Sequence, residues 1–114
     1  IILLTCRAET MKTTRPERVD MVVCYDVKTN HDDGERRLRR VAKVCEGYGQ
    51  RVQYSVFECS LTDALYHKML ARLLEIMDPV EDSLRIYRLP GARGRVVEVY
   101  GRDGWVDFQG PLTI

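Results

Sequence analysis

The run Val19-Asp-Met-Val-Val-Cys-Tyr-Asp-Val27 constrains the fold more than any other feature of the chain. It is rich in β-branched and aromatic residues, with apolar side chains at both parities, the pattern of a strand covered on both sides. Such a strand needs neighbouring strands and covering helices, and the rest of the sequence supplies both. Leu38, Val41, Ala42, Cys45 and Tyr48 recur at helical spacing, with Asp32 or Asp33 to cap the helix and Gly47 and Gly49 to end it. Arg51 to Cys59 alternates, with Val52, Tyr54 and Val56 on one face and Arg51, Gln53, Ser55 and Phe57 on the other. This predicts a strand, or a strand with a bend. Ser60-Leu-Thr-Asp63 offers cap chemistry for a second helix, whose apolar stripe is Leu65, Tyr66, Met69, Leu70, Leu73, Ile76 and Met77. Asp78-Pro79 stops it. Ser83 to Leu89 and Arg95 to Tyr100 read as two more strands around a Pro90-Gly-Ala-Arg-Gly94 turn. The order strand, helix, strand, helix, strand, strand gives an α+β or split βαβ sandwich with two helices on one sheet face.

The 114 residues are enough for one domain and too few for two. A chain of this size buries roughly two-thirds of its unfolded surface and needs no disulfide or structural metal. Residues 1–18 mix charge, Thr and Pro without a period and read as an N-terminal extension, 19–101 as the domain and 102–114 as a tail. Residue 1 is not Met, and Met11 or Met21 could be a translation start. Cys6, Cys24, Cys45 and Cys59 form no metal-ligand spacing, which argues against a zinc site. Three of them fall in strand or helix runs, where free cysteine is a small buried hydrophobe, so a reducing cytoplasm is the expected setting. No apolar stretch reaches the roughly 18 residues of a membrane span.

A net charge of +1, from 18 Lys+Arg against 17 Asp+Glu, excludes a polybasic tail. It conceals a local excess. Arg36, Arg37, Arg39, Arg40 and Lys43 fall within about two helical turns. Arginine outnumbers lysine 14 to 4, and its planar guanidinium suits phosphate. A solvated helix face, partly neutralised by Glu35 and Glu46, is the plain alternative. With Tyr25, Tyr54 and Phe57 on adjoining strands, the combination leans toward nucleic acid. Asp26 is the candidate for chemistry, because a carboxylate at the end of a buried strand must be hydrogen-bonded or hold a cation. Capping the next turn is its other reading. Mg²⁺ can be held by one or two carboxylates plus phosphate and water, so Asp26 from two copies of the chain could build a site in a symmetric dimer and activate a water. His31 reads as a loop residue and His67 as a surface partner of Asp63. Neither has a Ser or Cys at a nucleophile spacing.

Four blocks, Val22-Val-Cys-Tyr-Asp-Val27, Arg37-Leu-Arg-Arg-Val-Ala-Lys43, Tyr48-Gly-Gln-Arg-Val-Gln-Tyr-Ser-Val-Phe-Glu-Cys59 and Asp82-Ser-Leu-Arg-Ile-Tyr-Arg-Leu89, resemble the CRISPR-associated small ferredoxin-like endonuclease, the second core adaptation protein of CRISPR systems, in its type I branch. The resemblance covers about residues 20–100, and residues 1–18 have no counterpart in it. It implies a homodimeric, ferredoxin-like βαββαβ sandwich, here α+β with an additional C-terminal strand. It implies catalytic roles for Asp26 and the preceding Tyr25, with Asp26 of each subunit near the two-fold axis on a shared Mg²⁺. Arg40, Arg51, Ser55 and Phe57 fall on positions linked with activity or substrate approach, and Arg36, Arg37 and Arg39 extend the same nucleic-acid-binding set. The implied substrates are RNA and double-stranded DNA. The implied partner is the CRISPR integrase subunit of the adaptation complex, met by the strand after Arg95 and the tail. The expected function is therefore Mg²⁺-dependent endonuclease action in spacer acquisition. A non-catalytic DNA-binding scaffold for the integrase is the alternative, and a small-molecule regulatory domain on the same fold is a third class. The family topology asks for a β-hairpin between the helices, whereas residues 50–60 read as one bent strand or two strands joined by a kink.

Overall fold

The computed structural model describes residues 17–30 and 33–106. The extension up to residue 16, His31, Asp32 and the tail beyond residue 106 lie outside the described residues. Strand β1 (Arg18–Asp26) leads to helix α1 (Gly34–Tyr48), then strands β2 (Gly49–Gln53) and β3 (Val56–Thr62), helix α2 (Asp63–Ile76), strand β4 (Ser83–Arg88) and a single helical turn, α3 (Arg93–Val96). The sheet order is β2-β3-β1-β4, and every pairing is antiparallel. This is the βαββαβ sandwich of the ferredoxin-like class.

One face of β1 carries the core. Met21, Val23, Tyr25 and Val27 are buried with Phe57, Cys59 and Leu61 of β3, Val41, Val44 and Cys45 of α1, and Met69, Leu73 and Met77 at α2 and its end. The helical periodicities therefore point as the sequence implies. The expectation that β1 is covered on both sides is corrected: Val22 and Cys24, on the helix-free face, are only half-buried, and Asp26 on that face is exposed. An antiparallel sheet needs helices on one face only, and among the described residues neither α1 nor α2 packs on the second apolar parity.

The run from Arg51 to Cys59 is two strands, with Tyr54 and Ser55 as the turn between them. A register shift between Arg51 and Gln53 breaks the alternation that made the run look continuous. Space for the hairpin comes from β2 starting directly where α1 ends. A side chain at Gly49 would stand 2.6 Å from the Glu58 carbonyl, so only glycine lets the strands approach there. Two capping expectations part company. Thr62 caps α2, its Oγ1 accepting from the Leu65 N–H at 3.3 Å. Asp33 stands at the start of α1 but makes no side-chain cap.

The additional C-terminal strand is also corrected. Among the described residues no strand follows Arg88, and Arg95–Tyr100 passes from α3 into irregular chain. A β-branched run becomes a strand only against a partner edge, and this one is steered elsewhere. The Arg93 N–H donates to Asp20 at 2.7 Å, and its guanidinium bonds Glu58, grips both oxygens of Asp103 and lies 4.4 Å from the Trp105 ring centroid. The Gln50 side chain then holds the Val106 N–H and carbonyl. Asp20 and Glu58 belong to the helix-free face, so these bonds draw the segment across the sheet instead of along its edge.

Candidate functional site

Four segments meet where β1 ends. Because β1 and β2 both run antiparallel to β3, the β2–β3 turn lies at the Asp26 end of the sheet, and β4 begins there with Ser83 opposite Asp26. The Ser55 carbonyl accepts from the Tyr25 N–H at 3.2 Å. The first turn of α1 closes in from the other side, where a side chain on Gly34 would meet the Thr29 Cα at 2.6 Å. The Asp26 side chain is exposed and, among the described residues, makes no hydrogen bond or ion pair.

The loop that follows Asp26 is held by a carboxylate in the opposite condition. The Asp82 side chain has no exposed surface. It accepts from the Lys28 N–H at 3.1 Å, the Asp78 N–H at 2.8 Å and both Nε and Nη2 of Arg37 at 3.0 and 3.3 Å. Burial pushes its acidity toward the neutral form, but the Arg37 guanidinium and the two backbone N–H groups outweigh it and hold the carboxyl below its ordinary range. Asp78 orders the segment between α2 and β4 that carries Asp82, accepting from the Val80 and Glu81 N–H groups, bonds that lower its pKa in turn. Lys28 adds an ion pair to Glu81 at 3.5 Å. The residue two places beyond Asp26 is thus tied to the segment just ahead of β4 and to α1.

A column of rings rises beside this loop. Tyr25 and Phe57 stack with centroids 6.1 Å apart, the Arg51 guanidinium lies 5.1 Å from the Phe57 centroid, and Tyr54 follows at 6.0 Å from the same guanidinium. Burial raises the Tyr25 phenol, with Arg51 opposing in part, so it remains protonated at neutral pH. On α1, Arg36, Arg39, Arg40 and Lys43 are exposed, whereas Arg37 is drawn inward.

A family model described as CRISPR associated protein Cas2 matches residues 19–94. The chain belongs to the Cas2 family. It is 45% identical over 94 residues to "CRISPR-associated endoribonuclease Cas2 1" of Moorella thermoacetica, covering 82% of this chain and 98% of that protein. It is 47% identical, with the same coverage, to "CRISPR-associated endoribonuclease Cas2" of Chlorobaculum tepidum. The crystal structure of Streptococcus pyogenes Cas2 at pH 6.5 superposes with a TM-score of 0.65 at 49% identity, covering 72% of this chain and 99% of that one.

Within this Cas2 fold the candidate residues separate into three groups. Asp26, Arg51 and the exposed arginines of α1 have side chains that solvent, and so a ligand, can reach. Ser55 is half-buried in the turn and contributes its carbonyl to Tyr25. Three residues sit differently from the rest. Phe57 has no exposed surface. Tyr25 faces the helices, on the opposite side of β1 from Asp26, and is buried in the core. Arg37, its side chain only 12% exposed, is bound to Asp82 and leaves the basic face. Sequence reasoning did not single out Asp82, although it opens one of the blocks that carry the resemblance. An aspartate just ahead of a strand, between Glu81 and Ser83, was the available signal.

The remaining expectations are simpler. His67 pairs with Asp63 at 3.4 Å on the surface. Cys24, Cys45 and Cys59 are free thiols, and burial pushes Cys45 and Cys59 up to about 12. Among the described residues no three His, Cys, Asp or Glu side chains gather as a metal centre, and no helix is long and apolar enough to cross a membrane.

Proposed function

We propose that this chain is a Mg²⁺-dependent endonuclease of CRISPR adaptation, hydrolysing phosphodiester bonds of RNA or double-stranded DNA, with residues 19–101 as its working domain. The observation that supports it is Asp26: an exposed carboxylate whose side chain has no partner among the described residues, at the end of β1 and just ahead of a loop that Asp82 and Arg37 hold in place. A hard oxygen donor open to solvent suits Mg²⁺, which accepts one or two carboxylates and keeps its waters. In a symmetric dimer a two-fold copy would supply a second Asp26. The half-buried Val22 and Cys24 on the helix-free face give that homodimer an apolar surface to use. When bound, Mg²⁺ supplies Lewis acidity toward a phosphate oxygen and makes a water easier to ionise. The protein's own share is to place Asp26, to bind backbone phosphates through Arg36, Arg39, Arg40 and Arg51, and to neutralise charge that grows on the phosphate.

The test is Asp26→Asn on RNA and duplex DNA, with Mg²⁺ and then with EDTA, beside a spacer-acquisition assay. Cleavage should disappear both in the variant and in EDTA; undiminished cleavage by Asp26→Asn would sink the assignment. The solitary carboxylate also favours a second reading, a dimeric DNA-binding scaffold for the CRISPR integrase. Loss of cleavage with intact acquisition would assign that role to the fold and leave the chemistry separate from it.

A further inference from the structure

We propose that the Tyr54 ring is a stacking platform for one unpaired nucleobase, so that the site selects a single-stranded segment next to Asp26. This rests on the reading of the chain as a nucleic-acid enzyme and specifies its ligand. A solitary exposed aromatic is ordinary, but Tyr54 is not solitary in its setting. It is 80% exposed, yet it tops a column that begins in the core: Tyr25 on Phe57 with planes 26° apart, Phe57 under Arg51, and Arg51 under Tyr54. The two-residue turn that carries it is fixed by the Ser55 carbonyl's bond to the Tyr25 N–H, directly next to Asp26 in the chain.

Each member of the column limits the next. Phe57 has no exposed surface, the Arg51 guanidinium lies 5.1 Å from its ring centroid, and the Tyr54 ring centroid is 6.0 Å from the same cation. The outer surface of that ring faces water. A nucleobase offers the flat, polarisable face that such a ring takes up, whatever its sequence. Internal base pairs of a duplex already spend both faces on their neighbours, so away from duplex ends it is an unpaired base that can use this one. Arg51 and the exposed arginines of α1 supply phosphate contacts for the flanking nucleotides. The ring therefore adds what the arginines lack, a preference for single strands.

Binding is measured by fluorescence anisotropy in EDTA, so that no cleavage intervenes. The ligands are a labelled oligoribonucleotide, its deoxy counterpart, an abasic deoxy strand of equal length and a closed circular duplex, which has no terminal pair. Tyr54→Ala should weaken binding to one or both base-bearing strands by about 5- to 100-fold while leaving the abasic strand and the duplex within about twofold. Tyr54→Phe, which keeps the ring face, should stay within about threefold of the parent on every ligand. The proposal is overturned if Tyr54→Ala changes neither base-bearing strand, if it weakens all four ligands alike, or if Tyr54→Phe loses as much as Tyr54→Ala. A parent protein that binds no single strand would overturn it too. The comparison of sugars separates RNA from DNA as the source of the base. Because every arm omits metal, failure here leaves the Asp26 assignment standing, and failure of Asp26→Asn to abolish cleavage leaves this result standing.

Discussion

Asp26 and Asp82 occupy the same end of one sheet and have opposite fates. Asp82 stands just before the strand that pairs with β1, wholly enclosed, with its oxygens taken by two backbone N–H groups and a guanidinium. Asp26 is exposed and has no such partner among the described residues. A carboxylate that has spent its lone pairs internally stabilises structure, and one that has not can serve a ligand. The pair thus divides the labour of the site between holding and reacting.

The division predicts a double dissociation. Asp26→Asn should lower cleavage by about a hundredfold or more, the scale on which removing one electrostatic group from a reacting centre acts. Its melting temperature should hardly move, because an exposed substitution changes stability by about 0.5 kcal/mol or less. Asp82→Ala should do the reverse in kind. It leaves N–H donors of Lys28 and Asp78 without an acceptor, at a cost of about 1–3 kcal/mol for a buried unsatisfied group, seen as a lowered thermal midpoint by circular dichroism. If Asp82→Ala melted like the parent, the holding half of the comparison would fail.

Acid sharpens the same contrast through protons. The Asp82 carboxyl lies below its ordinary value of 3.8 in the folded chain, so the unfolded chain takes up its proton first as pH falls. Its contribution is therefore complete above about pH 4 and is lost as pH drops through the depressed folded value. Asp78 and Asp103 are shifted the same way by their N–H and arginine partners and add to the slope. In Asp82→Asn the plot of melting temperature against pH should be flatter below about pH 4 than in the parent. An unchanged acid limb would show that the clamp carries no linked charge.

The parts of this arrangement that a linear reading captured are those set by local chemistry. The apolar stripes of α1 and α2, the Thr62 cap region and the parity of Asp26 with Val22 and Cys24 follow from spacing along one element. What escaped is set by contacts between elements. Arg37 and Asp82 are 45 residues apart, so nothing within the α1 sequence distinguishes Arg37 from Arg36 or Arg39. The β2–β3 hairpin was obscured because the alternation of Val52, Tyr54 and Val56 runs through the turn in sequence, while the register shift between Arg51 and Gln53 shows only in the strand pairing. The run at Arg95–Tyr100 has strand composition, but Arg93 commits the chain to the helix-free face through Asp20, Glu58 and Asp103. Phe57 was read as a contact residue when it is the floor beneath Arg51.

The smallest effect tests whether those indistinguishable arginines differ as their surroundings say. A cation that neutralises a backbone phosphate releases a counterion, so its removal lowers the slope of log K against log salt by about 0.7 on a single strand and 0.9 on a duplex. Arg39→Gln and Arg40→Gln, on exposed positions of α1, should each reduce the slope by up to about that amount and leave the melting temperature where it was. Arg37→Gln should lower the melting temperature by removing the donor that Asp82 needs, and leave the slope nearly intact, because that guanidinium is already bound. Binding titrations at several salt concentrations, paired with melts of the same variants, read both quantities. A slope change for Arg37→Gln equal to that of its neighbours would mean that the clamp opens to admit phosphate, and the holding and reacting parts of the site would then be one.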